Sequence, residues 1–249
     1  MTQKKAPKAY KNIDFLNSHE ARTIRILAEY LEPEKRLREM NIMHTVVFFG
    51  SARIAPDDPV TGAYYTAAEE FAFRLAKLGK SMARKKRGFH ICTGGGPGIM
   101  EAANRGAHRA GAKTIGLNIS LPFEQEPNRY ITPELNFEFH YFFMRKLWFL
   151  YNAKALVVFP GGFGTLDELF EALTLRQTGK IHEKSMPILL YDRAYWQSMI
   201  HFDKMVELGF ILPEDMKLIH FFDTPEAGVK YLKGRLEKSI SSINHRFHP

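Results

Sequence analysis

Short, nearly unbroken apolar runs alternate along this chain with longer stretches in which apolar residues recur every three or four positions. The runs are Thr45 to Phe49, Phe89 to Thr93, Lys113 to Leu117, Asn136 to Phe139, Ala155 to Phe159 and Pro187 to Tyr191. All are short enough for strands, and runs such as Thr45 to Phe49 and Ala155 to Phe159 are too uniformly apolar to face water on one side, which predicts strands of a parallel sheet covered on both faces. The periodic stretches predict helices. Residues 63–87 place Ala67, Phe71, Leu75 and Leu78 on one face, Ile99 to Ala110 ends at Gly111, and Phe142 to Ala153 follows. Further helices are predicted from Thr165 to about Thr178, over 194–208, and from Pro225 to Ser239. Strand and helix in alternation over most of the chain predict an α/β fold with a doubly wound, Rossmann-like parallel sheet.

Ahead of the first strand, Leu16, Ala21, Ile24, Ile26, Leu27, Tyr30, Leu31 and Leu37 keep a helical spacing. They predict a helical extension over 13–44, in one or two helices broken near Pro33. Residues 1–12 are polar and basic without periodicity and are expected to be disordered. No linker, repeat or low-complexity stretch divides 1–249, so one domain is expected, with its nucleotide-binding α/β core over 45–240.

The chemistry concentrates where strands end. Three strands run into loops of glycine and small polar residues: Gly50-Ser51, Gly94-Gly95-Gly96-Pro97-Gly98, and Pro160-Gly161-Gly162-Phe163-Gly164. In a doubly wound sheet all three open on the carboxyl edge, where ligands bind. The third loop opens directly into a helix near Thr165. Its backbone amides, with about half a positive charge at a helix N-terminus, make an anion site. Glu168 stands one turn inside that helix. Thr165-Leu166-Asp167-Glu168 also has the spacing of a capping box, in which threonine and glutamate satisfy each other's backbone donors. A cap does not account for three glycines in four positions, which weaken a turn unless something approaches the backbone closely. Both roles remain open on the sequence.

Two patterns are missing. There is no Gly-x-x-x-x-Gly-Lys-[Ser/Thr], and neither glycine turn is Gly-x-Gly-x-x-Gly with an acidic residue about 20 positions on. A mononucleotide is therefore expected rather than a dinucleotide. The net charge of +8 raises the question of nucleic acid. Its concentration at the N-terminus, in Arg84-Lys85-Lys86-Arg87 and near the C-terminus suits solvated helix ends and an anionic small molecule better. No apolar run reaches the roughly 18 residues of a membrane span, and no apolar segment follows the basic N-terminus as in a secretory signal. A single cysteine, Cys92, excludes an internal disulfide and is expected to be a core residue. The ten histidines show no ligand spacing near the glycine loops, so no metal is expected. The expected location is the cytoplasm.

Pro160 to Glu168 resembles the Pro-Gly-Gly-x-Gly-Thr-x-x-Glu signature of the Lonely Guy (LOG) family, also labelled lysine decarboxylase-like. Arg145-Lys146 is similar to the Arg-Lys pair ahead of that signature. Gly94 to Asn104 looks like the family's first glycine loop, and Thr174 to Lys184 resembles the stretch that follows. The resemblance covers roughly residues 45–200. The helical extension, and Phe142-Phe143-Met144 where short plant-type members have polar residues, are more like the longer bacterial branch, which includes AMP nucleosidases.

The resemblance implies hydrolysis of the N-glycosidic bond of a nucleoside 5′-monophosphate, such as AMP or a cytokinin riboside monophosphate, to free base and ribose 5-phosphate. Arg145 and Glu168 are then the expected catalytic pair. Gly161, Gly162, Gly164, Thr165, Lys146, Gly94, Gly95, Gly96, Ser51 and Thr174 are expected to bind substrate and phosphate. Arg53, Glu101, Glu124, Glu126 and Glu171 are lesser candidates. No cofactor is implied, a homodimer is, and neither nucleic acid nor membrane is an expected partner. The leading competing reading is a non-catalytic nucleotide or cofactor carrier similar to molybdenum-cofactor carriers, which has no chemical need to hold Arg145 with Glu168. A second is a single-stranded DNA-binding module on a related Rossmann-like fold, which would need a basic groove with exposed aromatics.

Overall fold

A computed structural model describes residues 6–83, 88–121, 126–181 and 186–241. Arg84 to Arg87, Glu124, His182 and Lys184 lie outside the described residues. Among the described residues seven strands form one sheet: β1 (Thr45–Phe49), β2 (His90–Thr93), β3 (Thr114–Ile119), β4 (Asn136–Phe139), β5 (Ala153–Val158), β6 (Ile188–Tyr191) and β7 (Ile219–Phe222). Their order is β4-β3-β2-β1-β5-β6-β7, and every pairing is parallel. Every position of β1 and β5 is buried, as the unbroken apolar runs require. The order reverses between β1 and β5, which makes that pair the switch point where such sheets bind ligands.

Helices α3 (Gly62–Ala83), α4 (Ile99–Arg109) and α9 (Pro225–Ser241) cover one face. Phe48, Phe71, Ile91, Ala102, Val157 and Leu232 pack there. On the other face Val47, Cys92, Leu117, Leu156 and Trp196 pack with Phe149 of α5 (Phe142–Tyr151) and Leu169 of α6 (Phe163–Gln177). Burial pushes the Cys92 thiol far above its ordinary range, in keeping with a core residue.

The extension comprises α1 (Ile13–Asn17) and α2 (Arg22–Glu39), and here the structure corrects the sequence. Pro33 does not break the helix; it lies buried inside α2. A proline removes one amide and so orphans the carbonyl four residues back, that of Glu29. The indole Nε1 of Trp148 donates to that carbonyl at 3.0 Å, satisfying it. Nor is the stretch 1–12 featureless. Ala9–Lys11 forms a 3-10 turn, and the Asn12 side chain caps α1 by accepting from Phe15 N at 3.3 Å.

The helix expected over 194–208 is two, α7 (Arg193–Met199) and α8 (Phe202–Glu207), separated by an extended Ile200. Trp196 and Phe202 are both buried, yet six residues apart they would sit about 120° apart on a continuous helix. The break lets both face inward. Strand β7, only four residues long and at the sheet edge, was not expected. The helix expected to reach Ala153 stops at Tyr151, because Ala153 already belongs to β5.

Candidate active site

The three glycine-bearing loops meet at Ser51. Its amide donates to Pro160 O at 3.0 Å, and its carbonyl accepts from Ile99 N at 3.0 Å. Its hydroxyl accepts from Arg53 N at 3.1 Å, folding its own loop. One residue thus ties the end of β1 to the ends of β2 and β5, and the convergence expected on the carboxyl edge is present.

The first glycine loop is held from inside the protein. Gly95 and Gly98 have φ of 78° and 68°, a region side chains rarely adopt. A methyl group on Gly94 would collide with the Arg145 guanidinium, and one on Gly95 with the Asn118 side chain. Thr93 Oγ1 accepts from Gly95 N at 3.0 Å and donates to Asn104 Oδ1 at 2.7 Å. Asn128 Nδ2 donates to the carbonyls of Gly95 and Gly96 at 3.0 and 3.1 Å and to Asn104 Oδ1 at 2.9 Å. Asn118 in β3 bonds Asn136 Oδ1 and Phe137 O at 2.7 and 2.8 Å. Sequence reasoning passed over these three asparagines as site residues. For Asn104 in α4 and Asn118 in β3 the available signal was their type, because asparagine is depleted in helix interiors and in strands; Asn128, in a loop, carries no such signal.

The second glycine turn is held differently. Helix α6 begins at Phe163, its N-cap Gly162 offers no side-chain cap, and its first bond runs from Leu166 N to Gly162 O at 3.0 Å. Thr165 is therefore the third helical residue rather than the cap, and the capping-box alternative for Thr165 and Glu168 falls away. The amides of Phe163, Gly164 and Thr165 precede the first helical bond and so have no acceptor within the helix. Neither Gly162 nor Gly164 has a positive φ, and a methyl group on either would meet nothing within 4 Å. Gly161 is different, since a methyl there would strike Thr165 and come within 2.9 Å of Ser51 N. The Tyr195 hydroxyl donates to Gly161 O at 3.2 Å. Phe163 is 93% exposed at the tip.

Between the loops stand the two charged candidates. Arg145, on α5, donates from Nε to Leu117 O at 2.7 Å and reaches Gly94 O at 3.5 Å from Nη2. Its guanidinium lies 5.0 Å from the centre of the Phe149 ring. Burial lowers its pKa, and the charge of Glu168 partly restores it. Glu168 is only 8% exposed. Burial raises its pKa to about 7, with Lys146 and Arg145 opposing the rise. A buried carboxyl group poised near neutrality suits proton transfer at physiological pH.

The remaining candidates divide. Lys146 Nζ is paired with Asp167 Oδ1 at 2.8 Å and Glu171 Oε2 at 3.0 Å, so contact with a substrate would require those pairs to open. Glu101 accepts from the Tyr65 hydroxyl at 3.0 Å. Arg53 and Glu126 are exposed. Thr174 is exposed in the fourth turn of α6, about 13 Å along the axis from Thr165, and is not brought to the loops. Among the described residues no group of three His, Cys, Asp or Glu is placed to hold a metal ion, and no helix is long and apolar enough to cross a membrane.

The profile of a family described as "Possible lysine decarboxylase" matches residues 100–232. The probable cytokinin riboside 5′-monophosphate phosphoribohydrolase LOG6 of Arabidopsis thaliana is 35% identical over 126 residues, 51% of this chain and 62% of that protein. Its relative LOG3 from the same plant is 35% identical over 143 residues, so the chain spans 64% of its length. A longer match, 30% identical over 73% of this chain and 79% of the relative, is the probable phosphoribohydrolase LOGL3 of Oryza sativa subsp. japonica. Among solved structures, an X-ray structure from the Northeast Structural Genomics Consortium covers 77% of this chain with TM-score 0.54 and 23% identity. The molybdenum cofactor binding protein of Rippkaea orientalis covers 78% with TM-score 0.50 and 19% identity. At these identities the two structures bear on the fold alone.

Proposed function

The chain belongs to the LOG family, whose profile carries the description "Possible lysine decarboxylase", and from that premise we propose that it is a nucleoside 5′-monophosphate phosphoribohydrolase. The substrate is AMP or a cytokinin riboside monophosphate, and the products are free base and ribose 5-phosphate. The observation that carries this reading is the pairing of an uncapped, open glycine turn with a buried glutamate titrating near neutrality. The turn takes the 5′-phosphate on the amides of Phe163, Gly164 and Thr165.

As the N-glycosidic bond breaks, positive charge grows on the ribose and the electron pair leaves with the base. The Glu168 carboxylate stabilises that charge and accepts a proton from the attacking water, whose oxygen bonds the anomeric carbon, while the departing base takes up a proton from solvent, so that the sugar gains the hydroxyl and the base the hydrogen. Arg145 supplies a fixed positive charge for the nucleotide or the departing base. A carrier would have no use for a buried, mutually charged Arg145 and Glu168, and that pair favours the enzyme.

The profile's description implies pyridoxal chemistry, which needs a lysine free to form a Schiff base. Lys146, the lysine beside Glu168, is held by two carboxylates and does not fit that role. The reading gives the protein a cytoplasmic setting, no cofactor, and neither nucleic acid nor membrane as partner. It includes a homodimer, for which Phe142 and Phe143 of α5, 52% and 51% exposed, offer apolar surface; sedimentation of the purified protein checks the mass.

The test is release of free base from a panel of nucleoside 5′-monophosphates, with the matching nucleosides as controls. Release from the monophosphates and not from the nucleosides is expected. Equal release from both would remove the phosphate site, and binding without release from any would favour a carrier.

A further inference from the structure

We infer that Glu29, on the N-terminal helix α2, is a positioning residue for Arg145, holding the helix that carries the guanidinium from both sides of that residue. The inference rests on the proposed function in taking Arg145 as the cation of the site.

Helix α5 starts without help from its own sequence. Its N-cap is Tyr141, whose side chain makes no capping bond. The cap comes from another helix instead. Glu29 Oε1 accepts from His140 N at 2.8 Å, and Oε2 accepts from Tyr141 N at 3.2 Å. A carboxylate bridging two leading amides satisfies orphan donors and opposes the helix dipole. The same residue also grips α5 further along, because its carbonyl, orphaned by Pro33, accepts from Trp148 Nε1 at 3.0 Å. Tyr141 lies one turn before Arg145 and Trp148 nearly one turn after it. The amide of Arg145 itself donates to Tyr141 O at 3.2 Å, so the capped residue is also the first backbone anchor of Arg145.

Side chains of α2 reinforce the grip. The Arg22 guanidinium lies 5.8 Å from the Tyr141 ring centre, and the Tyr30 ring lies 5.7 Å from that of Trp148. Arg36 Nη1 donates to Asn136 O at 3.1 Å and sits 4.0 Å from the Phe137 ring centre, fastening α2 to β4. Arg145 in turn donates to Leu117 O on β3, the neighbour of β4. Helix α2 therefore spans from the sheet edge to α5 and fixes the angle at which Arg145 enters the cleft.

The test measures steady-state kinetics for Glu29→Gln, Arg145→Ala and the double variant, with Trp148→Phe as a second, milder release of the same grip. Misplacement predicts a kcat lowered about tenfold by Glu29→Gln, with KM changed by less than about twofold. In the Arg145→Ala background the same substitution should cost nothing further. Equal losses in both backgrounds, or unchanged kcat in both Glu29→Gln and Trp148→Phe, would overturn the inference. Carbon-13 NMR titration of the Glu168 carboxyl gives a readout independent of turnover. A guanidinium that has moved away leaves Glu168 titrating higher, so its midpoint should rise in Glu29→Gln; an unmoved midpoint contradicts the inference even if no nucleotide is cleaved. Absence of turnover in the wild type sinks the proposed activity and leaves the titration to decide the role of Glu29.

Discussion

The two glycine loops are near neighbours, joined through Ser51, yet their glycines answer different demands. Gly95 and Gly98 have positive φ, and Gly94 and Gly95 lie where a methyl group would strike Arg145 or Asn118. The fold itself requires glycine there. At Gly162 and Gly164 the backbone is ordinary and the space is empty. Nothing among the described residues requires glycine at those two positions. The first loop is locked into the fold, whereas the second is locked at Gly161 and open at Gly162 and Gly164.

Breaking the link between the loops should have the largest effect. Arg145 reaches the first loop at Gly94 and faces Glu168 behind the second, so Arg145→Ala should lower kcat/KM by about 10² to 10³-fold. Normal turnover in that variant would detach the scaffold from the chemistry.

The next largest effect concerns the charge buried behind the second loop. An unfolded glutamate ionises near 4.5, whereas native Glu168 holds its proton to about 7. Between those values the native state binds a proton that the unfolded chain has lost, so stability falls as pH rises through that window. The cost at pH 8 is on the order of 3 kcal/mol, and Glu168→Gln should abolish it. Urea unfolding from pH 5 to pH 8 checks this; parallel profiles for the two proteins would contradict it.

The glycine contrast can be tested directly. Gly95→Ala should destabilise by about 1–3 kcal/mol through its positive φ and the clash with Asn118. Gly162→Ala should leave stability unchanged, or raise it by up to about 1 kcal/mol, while weakening nucleotide binding. Calorimetric binding of AMP alongside urea unfolding separates the two outcomes. A destabilised Gly162→Ala that binds normally would erase the distinction. The smallest effect on turnover and binding is expected from Asn128→Ala, which strips partners from Gly96 O and Asn104 Oδ1 at a stability cost of about 1–2 kcal/mol and should leave kcat nearly untouched.

Much of this was legible in the chain, for identifiable reasons. Central strands such as β1 and β5 are covered on both faces and so read as plain apolar runs. Loops at their ends announce themselves by glycine. Features that depend on a partner far along the chain were not legible. Pro33 reads as a helix breaker because nothing local shows that Trp148 satisfies the carbonyl it orphans. The role of Thr165 turned on whether α6 starts two residues earlier, and only the bond from Leu166 to Gly162 fixes that. Lys146 matched the family pattern, but its engagement by Asp167 and Glu171 is a matter of packing between α5 and α6. Thr174 shares a helix with Glu168, and helix length alone carries it away from the loops.

The most direct measurement is nucleotide binding and base release by Glu168→Gln beside the wild type, on the same nucleoside 5′-monophosphate. The expected result is wild-type affinity with release abolished, since the amide keeps the shape of the site and loses its proton acceptor. Release at the wild-type rate, or loss of binding with turnover intact, would contradict the assignment of Glu168 as the carboxylate that carries the reaction.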